Sequence, residues 1–97
     1  MSLQFIDAAV YFPQQQTVKI RAISGNRLVE CEIARDALLA IGCKEGDDAL
    51  AVIQRFNTMR ADFEIAAMAK FRRAPQSLAI TIDRGDLGYV CPRASAA

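Results

Sequence analysis

Between Gly46 and Pro75 the chain contains neither glycine nor proline. Asp47-Asp48 opens this stretch as N-cap and first-turn acid, residues that serve the free amides and the dipole at a helix start. Ala49, Val52, Phe56, Met59, Phe63 and Ala66 then follow a 3-4-3-4 spacing, one stripe of a helix. Ile65 and Met68 widen the stripe, with Ala61 beside them. A helix over the 27 residues 47–73 is about 40 Å long at about 1.5 Å per residue. The chain has 97 residues, and a domain of that size is about 33 Å across. Such a helix overhangs its own domain or breaks. The continuous helix is the expectation, and it leaves Phe63, Ile65, Ala67, Met68 and Phe71 needing cover. A homodimer follows, with Phe63, Ile65, Met68 and Phe71 as its interface. The alternative is a break between Asn57 and Asp62 that folds both halves onto the chain's own sheet.

That sheet starts from a hairpin. Two alternating runs, Thr17 to Ser24 and Arg27 to Ile33, flank Gly25-Asn26, a two-residue loop of the I′ or II′ kind. The loop fixes a register in which paired residue numbers sum to 51. Arg21 then faces Glu30 and Lys19 faces Glu32 on one side. Ile20 faces Cys31, Val18 faces Ile33 and Ala22 faces Val29 on the other. Each opposite-charge pair contributes only about 0.2–1 kcal/mol, but a slip of one residue would expose the whole apolar set. Upstream, Ala8 to Phe12 reads as a strand ended by Pro13, with Gln14-Gln15-Gln16 as a loop and residues 3–6 as a possible extension of the sheet.

Ala34 to Ile41 reads as a short helix, with Gly42 where a left-handed cap is usual, and Cys43 to Gly46 as a connector. Beyond Pro75, Leu78 to Ile82 alternates as a last strand, and Leu87 to Val90 re-enters the fold. The expected class is α+β: an antiparallel sheet of about four strands in β-β-β-α-α-β order, with one short and one long helix on one face. One domain spans 1–91, and 92–97 is expected to be a disordered tail.

The composition narrows the chemistry. Histidine is absent, which removes Ser-His-Asp and Cys-His nucleophiles and most zinc sites. Cys31, Cys43 and Cys91 are too far apart for a zinc knuckle or a redox pair. The formal net charge is +1, which argues against a dedicated polyanion binder. No signal-like or membrane-spanning run is present, and the expectation is a cytoplasmic protein with reduced thiols. Glu30-Cys31-Glu32 could be read as a carboxylate-flanked thiol, but carboxylates raise a thiol's pKa, the wrong direction for a nucleophile. Arg84-Gly85-Asp86 spells an adhesion tripeptide, and a turn after a strand explains it better. Lys70-Phe71-Arg72-Arg73 ends the long helix, where cations suit the dipole. As an alternative, Lys70, Arg72 and Arg73, with Lys44, could contact phosphates. An enzyme would have to assemble its pocket from Cys43 or from Asp47, Asp48, Asp83 and Asp86.

Val18 to Ala22, Gly25, Val29 to Ile33, Ala37-Leu38 and the run Phe56 to Ala66 together resemble a small bacterial family, the domain of unknown function 1488. The resemblance spans about residues 3–87. It implies a compact α+β protein with strands, then helices, then a last strand, and it carries no activity, cofactor or catalytic residue. The chain departs from the pattern at Ala34, where a serine-like cap is usual, and at Phe63, where an aliphatic residue is usual. If the family holds a functional site, Arg60 beside Asp62 and Glu64 is the charged cluster to examine; a helix-surface ion pair, or an Arg tying the helix to a neighbouring element, explains it better. The functional expectation is a non-enzymatic, dimerising protein-interaction module without cofactor or metal. Nucleic-acid contact is the weaker alternative.

Overall fold

The computed structural model describes residues 3–90. Two short strands, β1 (Gln4–Phe5) and β2 (Val10–Phe12), both pair antiparallel with the long strand β3 (Thr17–Ser24), β1 near its end and β2 near its start. β3 turns into β4 (Arg27–Ile33), and the seven pairs from Val18↔Ile33 to Ser24↔Arg27 have the register that sums to 51. Gly25 takes φ +63° while Asn26 stays at negative φ, the II′ pattern that suits the twist of a tight hairpin.

Three helices follow: α1 (Arg35–Ala40), α2 (Ala49–Thr58) and α3 (Arg60–Arg73). Ala34 caps α1 without a side-chain bond; its amide donates instead to the Ile82 carbonyl at 2.8 Å. Past α1, Gly42 adopts φ +105°, a conformation costly for a residue with a Cβ. Asp48 is the N-cap of α2 and accepts from the Ala51 amide at 2.8 Å. Asp47 instead holds the connector, accepting from the Lys44 amide at 2.8 Å.

The long helix is not continuous. It breaks at Met59, inside the window Asn57 to Asp62. The Thr58 hydroxyl donates to the Arg55 carbonyl at 2.7 Å, a back-bond that bends helices. Across the break the rings of Phe56 and Phe63 stack with centroids 4.9 Å apart. In a straight helix residues seven apart are separated by about 10.5 Å along the axis, so the bend brings these two rings together in the core. Apolar burial that a continuous helix would have left to a second chain is completed within this one.

The last strand corrects the sheet. β5 (Ala79–Ile82) pairs parallel to β4, from Glu30↔Ala79 to Ile33↔Ile82, so the sheet is mixed rather than antiparallel. It has five strands in four positions, ordered β1/β2, β3, β4, β5. The cause is the crossover: the chain leaves the end of β4, returns through helices on one face and re-enters beside the start of β4, which makes neighbouring strands parallel. A fourth helix, α4 (Arg84–Val90), follows in place of the expected turn. Asp83 and Asp86 build its start as a reciprocal capping box: the Asp86 amide donates to Asp83 Oδ1 at 3.1 Å, and the Asp83 amide to Asp86 Oδ2 at 2.9 Å. The Arg84-Gly85-Asp86 tripeptide is therefore the first turn of a helix. The expected tail, 92–97, and Cys91 lie outside the described residues.

The core lies between the sheet and the helices. Val18, Ile20, Ala22, Val29, Cys31, Ile33, Ile80 and Ile82 come from one face of the sheet, and Leu38, Val52, Phe56, Phe63, Ala67, Phe71 and Leu87 from the helices. Among the described residues the helices cover one face of the sheet, and no element covers the other.

Candidate functional site

Strand alternation puts the remaining sheet residues on the outer face. On β3 these include Lys19, Arg21 and Ile23, and on β4 Leu28, Glu30 and Glu32. Val10 and Phe12 of β2, Ile6 after β1, and Ala79 and Thr81 of β5 complete the face. Val10 is 53% and Leu28 50% exposed, and Ile6 and Phe12 are also exposed. A hollow of about 240 Å³ opens between Asp7, Val10, Phe12, Lys19, Arg21 and Glu30. Lys19 Nζ lies 4.8 Å from the centre of the Phe12 ring and 3.9 Å from Glu32. Arg21 faces Glu30 in register, yet its guanidinium pairs with Asp7.

The helix residues expected to form an interface are not brought together. Phe63 and Phe71 are buried in the chain's own core, and Met68 packs half-buried against it. Ile65 alone is open, at 50% exposure. The break at Met59 is the physical reason: it turns the wide apolar stripe inward. The basic cluster is divided as well. Lys70 Nζ donates to the Thr81 carbonyl at 2.6 Å and pairs with Asp86 at 3.1 Å, while Arg72 and Arg73 stay exposed.

The lysine contact belongs to a capped sheet edge. The carbonyls of Leu78 and Ile82 accept from β4 and its extension, so Ala79 and Thr81 present their backbone groups outward. Ser77 Oγ donates to the Ala79 carbonyl at 2.7 Å and accepts from the Ala79 amide at 3.4 Å. With Lys70 on Thr81, side chains occupy three of the four outward groups of β5. The opposite edge is two short strands interrupted at Asp7-Ala8-Ala9 and followed by Pro13. Both edges resist the addition of a further strand.

The candidate chemical groups are committed to structure. Burial, with Glu30 adding to it, pushes the Cys31 thiol up to about 11. Cys43 is also raised, by burial and then Asp47, with Arg55 opposing. Burial pushes the Asp86 carboxyl up, but hydrogen bonds from the Asp83 amide and Lys70, with the lysine charge and the Asp83 side chain, hold it lower than usual overall. Among the described residues no group of three His, Cys, Asp or Glu side chains could hold a metal ion. Arg60 ties the helix break to the sheet: its Nε donates to Glu64 at 2.9 Å and its Nη2 to the Asp7 carbonyl at 2.8 Å. An open cleft of about 400 Å³ lies beside α2, lined by Gly42, Lys44, Asp47, Gln54, Arg55 and Thr58. Arg55 packs over Gly42, its guanidinium 3.6 Å from where a Cβ would stand.

Sequence reasoning passed over Val10, Phe12 and Leu28 as surface residues. For Leu28 the signal was present in the hairpin register, which puts it on the charged side of the sheet; Val10 and Phe12 are placed there by the pairing of β2 with β3, which the hairpin register does not determine.

These features define a two-layer α+β protein with one sheet face uncovered and both sheet edges blunted. No helix among the described residues is long and apolar enough to cross a membrane. The chain belongs to the family described as protein of unknown function DUF1488, whose model matches residues 3–81. It is similar to a crystal structure of a DUF1488-family protein of unknown function from Shewanella loihica PV-4, at 16% identity and a TM-score of 0.74, covering 86% of this chain and 93% of that one. At that identity the likeness concerns the fold. No curated protein matches the chain.

Proposed function

We propose that the protein is a non-enzymatic interaction module whose docking surface is the uncovered sheet face, and that its occupant is a second copy of the chain. The observation that carries this reading is the set of large apolar side chains exposed on that face: Ile6, Val10, Phe12 and Leu28. With the edges capped by Ser77 and Lys70 and interrupted at Asp7 to Ala9, a partner engages the sheet face-on. Four strand positions spaced about 4.8 Å, with β1 and β2 spanning residues 4–12, β3 eight residues, β4 seven and β5 four, make a face of about 450 Å² at about 3.3 Å per residue. Two copies bury about 900 Å², the size of a weak, transient interface. Its charges are mixed in sign, so a copy does not repel a copy.

The test is the equilibrium mass by sedimentation at about 100 µM, a concentration suited to an interface at the small end of the range. The expected result is a dimer, reduced to a monomer by Val10→Glu with Leu28→Glu while the circular dichroism spectrum is unchanged. A wild-type monomer under these conditions overturns the reading. A dimer indifferent to both substitutions does too.

A further inference from the structure

The outer face carries its charges in two parallel rows. Lys19 and Arg21 lie on β3, and Glu32 and Glu30 lie opposite them in register on β4. Sheets that pack face to face with strands nearly aligned can be related by an in-plane two-fold axis in two ways. An axis perpendicular to the strands sets β3 over β3 and β4 over β4, so basic meets basic and acidic meets acidic. An axis parallel to the strands, midway between β3 and β4, sets each copy's β3 over the other's β4. Because the charged residues are cross-strand partners, the second operation brings Lys19 opposite Glu32 of the other copy and Arg21 opposite Glu30, whatever the position along the axis. We infer that two copies pack sheet to sheet about this parallel axis, with the basic row of each on the acidic row of the other. The inference rests on the sheet-face reading above and specifies its geometry.

Two details favour this arrangement. Glu30 forms no ion pair within the described residues, because Arg21 turns to Asp7; Asp7 takes the Nε and Nη2 side of that guanidinium, and Nη1 of the other copy's Arg21 is the group that meets Glu30. The Lys19–Glu32 pair is loose at 3.9 Å, which leaves both groups able to take a second partner. The gap between packed sheets is about 10 Å, a distance that a lysine and a glutamate reaching from opposite sides span. A ring of two lysines and two glutamates then closes about the axis, flanked by the arginine–glutamate contacts.

The experiment uses Lys19→Glu with Glu32→Lys in one chain, which keeps the opposite-charge pair inside the monomer. Wild type and variant are mixed and their dimers counted by native mass spectrometry. In the parallel-axis dimer each protein pairs with itself, since two copies of the variant again set opposite charges against each other across the axis. A mixed dimer sets two carboxylates face to face at one of these contacts and two ammonium groups face to face at the other. It is expected at least about tenfold below its statistical share. Mixed dimers at the statistical share overturn the geometry and leave the sheet-face reading standing. So does a variant that folds but remains monomeric while wild type dimerises. A wild type that is monomeric alone overturns both. Should the double variant fail to fold, the single variants Lys19→Glu and Glu32→Lys serve. Under this geometry each is monomeric alone and the mixture forms a one-to-one dimer; any other result for the mixture overturns the geometry.

Discussion

Replacing Phe63 by alanine separates a core helix from an interface helix. Its ring is fully buried and stacks on Phe56 across the break at Met59, with centroids 4.9 Å apart. Removing a buried phenylalanine side chain costs about 3–5 kcal/mol, the lost transfer plus the cavity left behind. Stacked aromatic pairs contribute about 0.5–1.5 kcal/mol beyond burial, which places this site in the upper part of that range. A domain of this size has about 5–15 kcal/mol of stability in all. The assay is urea unfolding followed by far-ultraviolet circular dichroism, since the chain has no tryptophan. With a slope of about 1–1.5 kcal/mol per molar urea, the midpoint falls by about 3–5 M. Phe63→Leu, which keeps most of the volume, costs about 1–1.5 kcal/mol and serves if the alanine variant is unfolded at the outset. Ile65→Ala, at the half-exposed neighbouring position, changes stability by less than about 0.5 kcal/mol. The reasoning fails if Phe63→Ala costs under about 1 kcal/mol, or if Ile65→Ala costs as much. It also fails if the loss at Phe63 grows on dilution, since that would place the ring between chains.

Asp86→Asn keeps an acceptor for the Asp83 amide and removes the charge facing Lys70. The folded pKa of Asp86 is lowered from 3.8, so its contribution is complete above that value and is lost as pH falls through the lower folded pKa. Thermal unfolding should show the variant less stable than wild type at pH 6, with the gap closing as pH falls below the ordinary 3.8 and through the lower folded value; a gap independent of pH contradicts the assignment. Gln16 is held at φ +57° in the loop before β3. Gln16→Gly relieves about 1–2 kcal/mol of left-handed strain against about 0.4–1 kcal/mol of added chain entropy, so the urea midpoint should rise; a fall refutes the strain. The Cys31 thiol, raised to about 11 and buried, should react with an aromatic disulfide at pH 7.5 only at the rate of unfolding, read as modification that urea accelerates. Rapid labelling in native buffer would place it elsewhere.

The parts of the fold legible in the sequence are those fixed by local chemistry. Gly25-Asn26 and the charge alternation fix the hairpin to the residue, and Asp48 and Gly42 mark helix ends through their own caps. The parallel pairing of β5 was not legible, because Leu78 to Ile82 has the same alternation in either direction. What decides the direction is where α3 delivers the chain, a tertiary fact. The break at Met59 left only a weak trace. No glycine or proline marks it, and the stripe runs through it without a change of spacing. Thr58 can back-bond to Arg55 in any helix; the break forms here because folding Phe63 onto Phe56 buries more apolar surface than a straight helix could.

That break decides where a partner can dock. Once α3 bends inward, Phe63 and Phe71 are spent on the chain's own core, and Lys70 is drawn to the free edge of β5, where it covers the Thr81 carbonyl. Among the described residues the helix layer then offers scattered exposed side chains, Ile65, Leu39 and Leu50 among them, and no continuous apolar stripe. The sheet lies in the opposite situation. Its helix-facing residues fill the core, so among the described residues no element covers Val10, Phe12 and Leu28, while Lys19, Arg21, Glu30 and Glu32 fix how a second face can approach. A sequence reading that pairs Lys19 with Glu32 for hairpin register therefore contains, unused, the symmetry of a sheet-to-sheet contact. In-register opposite charges on two adjacent antiparallel strands are matched again by a two-fold along those strands.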